Sequence, residues 1–337
     1  MFHLYASVKM KVAGFCLLLL LLIGGFVSSI VFGQTPMSFA TAMQAFLHYD
    51  ETLVEHVIVL TERLPRAVIA SFVGASLAVA GALMQALTRN PLASPSTFGI
   101  NAGAVFFIVI AIVVFSVSSL IQLTWIAFVG AAISAVIVYS LGSMGKDGLT
   151  PIKIVLAGTA ITALFVSFTQ GILVLNETGL QDVMFWLAGS ISGRTLDMLI
   201  PVLPYMAVAG VMSLFMGRAI NLLITGDDIA KGMGQNTVLV KCMMGIVIVL
   251  LAGSSVAVVG AVGFIGLVVP HISRAFVGND YRLLIPFSAV AGAVLLLFAD
   301  VVARFLIMPS EVPIGVMTAL IGGPFFVYIA RKGVTKI

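Results

Sequence analysis

Charged side chains are scarce in this sequence of 337 residues. Lysine, arginine, aspartate and glutamate together make up 9% of it, while 61% is hydrophobic. A soluble domain carries roughly a quarter charged residues. A chain with so few polar side chains cannot cover a surface that faces water, so the composition excludes a soluble globular protein. Lipid must be its solvent, and the chain is predicted to be an integral membrane protein.

Motifs for catalysis, nucleotide binding and metal binding are also missing. Gly145-Lys146 resembles part of a P-loop, but Ser140 stands where that motif requires a glycine and Asp147 follows the lysine. The four histidines and two cysteines do not lie at metal-ligand spacing, and there is no HExxH or GxSxG motif. We therefore expect no catalytic residue, no metal site, no bound cofactor and no ATPase activity in this chain. The net charge of +4 comes without a basic cluster, so no nucleic-acid partner is expected.

Long apolar runs are what the sequence has in abundance. A helix needs about 20 apolar residues to cross the hydrocarbon core of a bilayer. The runs predict an all-α polytopic bundle of about ten transmembrane helices, which forms a single membrane domain over residues 1–337. The predicted spans are 12–32, 65–86, 99–119, 123–143, 152–174, 198–217, 239–259, 262–276, 283–306 and 313–330.

The lysines and arginines predict the orientation of these spans. With the N-terminus inside, 13 of the 17 basic residues fall on the inner side and 4 on the outer side. Positive residues are retained on the cytoplasmic side, so both termini are predicted to be cytoplasmic, with an outer loop at 33–62. One helix over residues 241–274 would be about 50 Å long, too long for one crossing, so a turn is expected at Gly260 and Gly263.

Three of the four outer arginines form a candidate site. Arg63 and Arg66 are three residues apart at the start of the second span, and Arg304 follows Asp300 at the end of the ninth. One interpretation is that they lie at the membrane interface and pair locally with Glu62. The other is a positive docking site for acidic groups of an external partner, since complementary charge orients partners and speeds their encounter.

The cytoplasmic loop 218–237 is a second candidate site. Its sequence predicts a short helix interrupted by glycines, with charge on Asp227, Asp228 and Lys231 and a small apolar face on Ile229, Ala230 and Met233. It is either an amphipathic connector or a coupling element that docks in a groove of a cytoplasmic subunit.

The loop between the second and third spans contains Asn90, Pro91, Leu92 and Pro95. Its two prolines favour non-helical backbone. A plain turn and a segment that lines or gates the inner mouth are both compatible with this pattern.

Five segments stand in order along the chain: RLPRAVIASFVGASLAVAGALMQALTRNPLASPSTFGINAGA from 63, NLLITGDDIAKGMG from 221, VGFIGLVVPHISRAFVGND from 262, ADVVARF from 299 and EVPIGVMTALIGGPFF from 311. Together they resemble the FecCD family, the permeases of ATP-binding-cassette importers for ferric siderophores, haem and cobalamin. The resemblance implies a multi-pass permease in the prokaryotic cell (inner or plasma) membrane, surrounded by lipid and paired with a second copy or a paralogue. It also implies two cytoplasmic subunits that use ATP and an extracellular or periplasmic binding protein. Ferric siderophores are the expected substrate, with haem or cobalamin as alternatives.

The resemblance also assigns roles to individual residues. Arg63, Arg66 and Arg304 would receive the binding protein. Asn90 and Leu92 would narrow the inner mouth, and the fifth span would line the pathway with Thr159, Thr162 and Ser167. The coupling residues that it implies are Gly226, Asp227, Asp228, Ala230, Lys231, Gly232 and Gly234.

An ion-coupled secondary transporter that works alone is the alternative from another class. Such a carrier needs acidic or histidine residues at membrane depth. Asp300 is the only acid inside an apolar run, and Arg304, one helical turn later, can neutralise it.

Overall fold

The structure is a computed structural model that describes residues 8–144, 150–176, 183–184 and 186–334. Within these ranges every regular element is helical. The helices are α1 (Val8–Val31), α2 (Phe39–Leu47), α3 (Val54–Ile58), α4 (Leu64–Thr88), α5 (Ile100–Val113), α6 (Leu120–Ser143), α7 (Pro151–Leu175), α8 (Leu196–Leu199), α9 (Leu203–Leu223), α10 (Asp227–Gly232), α11 (Thr237–Val259), α12 (Ile265–Val277), α13 (Tyr281–Ala303) and α14 (Ile314–Val334).

Ten of these helices correspond to the ten predicted spans. Seven are long and apolar enough to cross a membrane, counting the continuous helical stretch Val54–Thr88 as one. The other three are shorter apolar helices: α5, α12 and the Ile314–Ile329 part of α14. The prediction of a polytopic all-α bundle of about ten helices is confirmed. The side on which the termini lie stays a prediction.

The segment 33–62 was expected to be a loop, and the structure corrects this, because much of it is helical. Helix α2 begins at Ser38, whose hydroxyl accepts a hydrogen bond from the backbone N–H of Thr41 at 3.0 Å. Helix α3 then continues through a π-helical turn, Val59–Arg63, directly into α4. Arg63 is the last residue of this turn and Arg66 lies in the first turn of α4, and the two side chains have different partners.

The predicted turn between the seventh and eighth spans is present. Helix α11 ends at Val259, and Gly260 adopts a φ of +79°, a conformation that favours glycine. A Cβ at this position would also lie 2.6 Å from the carbonyl oxygen of Trp186. The returning helix α12 has only 13 residues, about 20 Å, so it is short for a full crossing.

Helix α4 is the centre of the bundle and is buried along most of its length. It packs against α11, α12 and α13, and glycines make two of these contacts possible. Gly74 faces Gly292 of α13, and Gly81 faces Gly266 of α12, at distances that leave no room for a Cβ. Close backbone approach at small residues is a main source of helix association in lipid.

Gly81→Ala should destabilise the protein, because the added Cβ would lie 2.0 Å from the carbonyl oxygen of Gly266. That oxygen belongs to a helix backbone and cannot move aside as a side chain would. We expect a cost of about 1–3 kcal/mol or more, measured as a lower thermal unfolding temperature in detergent. Gly210→Ala on α9 is the control, because nothing lies within 4 Å of its Cβ position. Equal unfolding temperatures for the two variants would contradict the packing described here.

Candidate functional site

Arg63 closes the C-terminal end of α1, which is predicted to lie on the outer side. Its guanidinium donates hydrogen bonds to the carbonyl oxygens of Ile30 at 2.9 Å, Val31 at 2.6 Å and Thr35 at 2.5 Å. The last carbonyls of a helix have no partner within it and carry the negative end of the helix dipole. Gly33 makes the contact possible, because a Cβ there would lie 2.8 Å from Nη2 of Arg63.

Arg304 contacts the same helix end from α13. Its Nη1 donates to the carbonyl oxygens of Ser29 at 2.7 Å and Phe32 at 2.8 Å, and its Nη2 donates to the Ser29 hydroxyl at 2.7 Å. Two arginines that are 241 positions apart in the sequence therefore cap one helix terminus. Neither role was predicted from the sequence.

Asp300 joins Arg304 to Arg66. Its Oδ2 accepts hydrogen bonds from Nε of Arg304 at 3.1 Å and from Nη2 of the same guanidinium. Its Oδ1 pairs with Nη2 of Arg66 at 2.8 Å. Glu311 pairs with Nη1 of Arg66, also at 2.8 Å. The expectation that Arg304 can neutralise Asp300 matches this geometry, while Arg66 and Glu311 are additions from the tertiary structure. We call Arg63, Arg66, Asp300, Arg304 and Glu311 the outer cluster.

The three arginines do not form an exposed positive surface, and this corrects the expected appearance of the docking site. The side chain of Arg304 is 2% exposed and that of Arg66 is 12% exposed; Arg63 is also buried. Most of their donors are used inside the chain because buried charges require partners; Nε of Arg66 is buried and has no hydrogen-bond partner among the described residues. Glu311, whose side chain is 21% exposed, is the most accessible residue of the outer cluster. The docking role of these residues stays a prediction.

The candidate inner gate begins where α4 ends. Arg89 adopts a left-handed conformation, with a φ of 49°, and terminates the helix. The side-chain oxygen of the exposed Asn90 accepts a hydrogen bond from the backbone N–H of Leu92 at 2.9 Å, which forms a tight turn. A short 3₁₀ helix, Pro95–Phe98, follows and packs against α7 and α4.

The candidate pathway residues lie on α7, next to this 3₁₀ helix. Gly158 packs so closely on Thr97 that a Cβ would overlap the carbonyl oxygen of Thr97, at 1.7 Å. Thr162 is half-buried near Gly99, which follows the 3₁₀ helix. Thr159 is exposed, and its hydroxyl donates to the carbonyl oxygen of Leu156 at 3.0 Å. The fold thus connects the Asn90–Leu92 turn to the inner half of α7.

Helix α7 packs against the rest of the chain through a single stripe of residues. Its buried positions are Ile154, Gly158, Ile161, Phe165, Thr169 and Leu173. The polar side chains of Thr159, Ser167 and Gln170 are exposed outside this stripe. Their spacing of eight and three places them on one helical face. Gln170 was missed, although this periodicity was visible in the sequence.

The segment 218–237 forms the expected short helix. Helix α10 lies between Gly226, with a φ of 133°, and Gly234, with a φ of 84°. Ile229 is 57% exposed and Met233, just after the helix, is 69% exposed. The exposed residues here are Asp228, Ile229, Lys231, Gly232, Met233 and Gly234. We call this set the coupling face.

Two residues of this segment do not belong to the coupling face. Ala230 is fully buried against the rest of the chain, so the expectation of an apolar face that includes it is wrong. Asp227 accepts hydrogen bonds from Nη2 of Arg89 and from Nζ of Lys241, each at 2.5 Å. Burial raises the pKa of the Asp227 carboxyl, but the Lys241 hydrogen bond and the positive charges of Lys241, Arg89 and Lys231 outweigh this and leave the pKa below its usual value. Sequence patterns did not single out Arg89 or Lys241 as its partners.

Comparison with known proteins gives one consistent result. The profile of the FecCD transport family matches residues 19–332. This chain belongs to the FecCD transport family. It is therefore a polytopic membrane protein of a family of ABC transporter permease subunits, which are not themselves enzymes, and the resemblance inferred from the five sequence segments is confirmed.

Individual FecCD relatives align over almost their whole length. The "Probable siderophore transport system permease protein YfiZ" of Bacillus subtilis (strain 168) is 55% identical over 94% of this chain and 95% of its own. The Fe(3+)-citrate import system permease protein YfmD of the same organism is 44% identical over 95% and 94%. A solved metal-chelate-type ABC transporter in an inward-facing conformation superposes with a TM-score of 0.82 at 28% identity, over 94% of this chain and 98% of that one.

Asp300→Asn should destabilise this FecCD permease strongly. The change removes the charge that Arg66 and Arg304 share, and breaking a buried pair from one side costs about 3–5 kcal/mol because it leaves charge uncompensated. We expect a large fall in thermal unfolding temperature and in the yield of folded protein. Glu62→Gln is the matched control, because Glu62 is an exposed acid next to Arg63. An Asp300→Asn protein as stable as this control would show that the outer cluster does not hold the helices together.

Proposed function

We propose that this chain is the membrane permease subunit of an ATP-driven importer for ferric siderophores in the prokaryotic cell membrane. The observation that carries the proposal is the 55% identity, over nearly both whole lengths, with a relative named as a siderophore transport permease. Cytoplasmic ATPase subunits supply the energy, and an external binding protein delivers the substrate. Haem and cobalamin, which belong to the range of the family, are the alternative substrates.

The structure gives a reason to prefer this proposal to an ion-coupled carrier. Such a carrier binds and releases an ion or proton at an acid in the membrane. Asp300 is buried and engaged by two arginines at once. Both of its oxygens are engaged in ion pairs inside the chain, so it serves as a structural partner and not as a site for a transported ion.

Transport should require the complete assembly and ATP. We expect proteoliposomes that contain the permease, its ATPase subunits and its binding protein to accumulate a radiolabelled ferric siderophore only when ATP is hydrolysed. Ferric citrate, haem and cobalamin, offered in the same assay, test the substrate class. Uptake by the permease alone under an ion gradient would overturn the proposal. ATP-driven uptake of haem or cobalamin, without uptake of any ferric chelate, would overturn the assignment of ferric siderophores as the substrate.

A second copy or a paralogue should cover the exposed face of α7. Amide and hydroxyl groups that face hydrocarbon lose hydrogen bonds to water, so Ser167 and Gln170 are costly next to lipid, while the Thr159 hydroxyl on the same face already donates to the carbonyl oxygen of Leu156. A pathway between two permeases keeps these groups wet. We propose that this face lines the pathway and that Asn90 and Leu92 narrow its inner end.

The coupling face is the proposed contact with the ATPase subunit. Ile229 and Met233 are apolar and exposed, and Asp228 and Lys231 flank them with charge. Apolar anchors on a short helix with charged neighbours suit a groove on a partner protein. ATP binding then moves these helices as rigid bodies, and the permease pair alternates between inward-open and outward-open packings.

The outer cluster is the proposed contact with the binding protein. Within it, Arg66 is the residue proposed to bind an acidic group of that protein. Arg63 and Arg304 position the cluster by closing α1, so charge reversal at either would disturb the fold. Arg66 is bonded to Glu311, which is partly exposed and can be replaced. An acidic group of the binding protein would take the place of Glu311 on the Arg66 guanidinium.

Arg66→Gln and Glu311→Gln should differ in their effect on docking. Arg66→Gln should weaken binding of the purified binding protein about tenfold or more, because it removes a charge-assisted contact. Glu311→Gln should strengthen binding or leave it unchanged, because it removes the competing carboxylate. Isothermal titration in nanodiscs, with unfolding temperatures as the fold control, measures both. Equal affinities for Arg66→Gln and wild type would limit the cluster to a structural role.

A further inference from the structure

The carboxylate of Asp227 joins three separate elements at the predicted inner face. It lies at the start of α10, and its Oδ1 pairs with Nη2 of Arg89 at the end of α4, at 2.5 Å. Its Oδ2 pairs with Nζ of Lys241 on α11, also at 2.5 Å. Both bonds carry charge on donor and acceptor, which makes them stronger and more directional than neutral hydrogen bonds. The three residues line a cleft of about 410 Å³ beneath the bundle.

Arg89 connects this carboxylate to the candidate gate. It terminates α4 in a left-handed conformation, and the Asn90–Leu92 turn starts at the next residue. Its Nη2 also donates to the carbonyl oxygen of Leu223, the last residue of α9, at 3.2 Å. A displacement of α10 would therefore also displace Arg89, which directly precedes the candidate gate.

The remaining attachments of α10 are few. The helix has six residues, and only Ala230 is fully buried. Among the described residues, Asp227 is the one side chain of α10 for which an ion pair is observed. Gly226 and Gly234, on either side, are in conformations that favour glycine and impose little rigidity. The Asp227 carboxylate is therefore the main polar link between this helix and the membrane part.

We infer that Asp227 is a positioning residue that transmits the movement of α10 to the inner gate through Arg89, and that it does not itself contact the ATPase subunit. This inference rests on the proposed function, in which α10 docks on an ATPase. It divides the segment into two sides. The coupling face binds the partner, and the Asp227 side passes the displacement on to the membrane part.

The test separates docking from transmission. Asp227→Asn preserves shape but removes the charge, and Arg89→Gln removes the partner. Both proteins should co-purify with the ATPase subunit and hydrolyse ATP, while the substrate imported per ATP falls about tenfold, the usual scale of coupling between sites. Asp227→Glu keeps the carboxylate and should restore most of this ratio. Glu51→Gln, the same change of an exposed acid in the segment between α2 and α3, is the matched control and should behave as wild type.

The double variant Asp227→Asn/Arg89→Gln gives the second criterion. Residues that act through one contact are not additive, so the double variant should be no worse than the more impaired single variant. Additive losses would overturn the inference, as would a wild-type ratio of transport to hydrolysis in Asp227→Asn. Loss of co-purification in Asp227→Asn, with Arg89→Gln still bound, would also overturn it, because Asp227 would then be a docking residue.

The proposed function fails in a distinguishable way. If the wild-type assembly shows no ATP-driven uptake, the proposed function is wrong before any variant is compared. Ile229→Ser/Met233→Ser should abolish co-purification with the ATPase subunit. An unchanged yield of the complex would contradict the docking role of the coupling face. The role of the Asp227–Arg89 ion pair would still be tested by the amount of substrate imported per ATP.

Discussion

The outer end of α1 presents carbonyl groups that no residue of the helix can satisfy, and two buried arginines from distant parts of the chain supply the missing donors. Arg63 and Arg304 bring the segments around α4 and α13 against this helix end. Their charge then requires the compensation that Asp300 gives. Much of the outer architecture follows from satisfying one helix terminus, including the position of Arg66 and its pairing with Glu311.

Helix α4 links this cluster to the opposite face. With α3 and the π-helical turn it forms a continuous helical stretch of 35 residues, Val54–Thr88. Glycine contacts with α12 and α13 hold its middle so tightly that it is expected to move with them as one body. Arg66 lies in the first turn of α4, and Arg89 directly follows its last residue. The residues proposed to sense the binding protein and the ATPase subunit are thus carried by the same rigid element.

Helix α7 shows the opposite character. It contributes one apolar stripe to the bundle and leaves the rest of its surface uncovered. A firmly packed centre and a weakly covered flank are compatible with a subunit whose pathway is completed by a second permease. The inner turn at Asn90 and Leu92 connects both parts, because it leaves α4 and returns through the 3₁₀ helix onto α7.

The sequence by itself determined the ten helices, the turn at Gly260 and the short helix between Gly226 and Gly234, because hydropathy, glycine conformation and helix length are local properties. It also carried the five segments that resemble the FecCD family. Only the tertiary structure decided which groups pair. Arg63 contacts a helix end some 30 residues earlier, and Asp227 contacts Arg89 138 positions away. A buried charge takes whichever partner folding brings near it, and residue spacing along the chain does not contain that information.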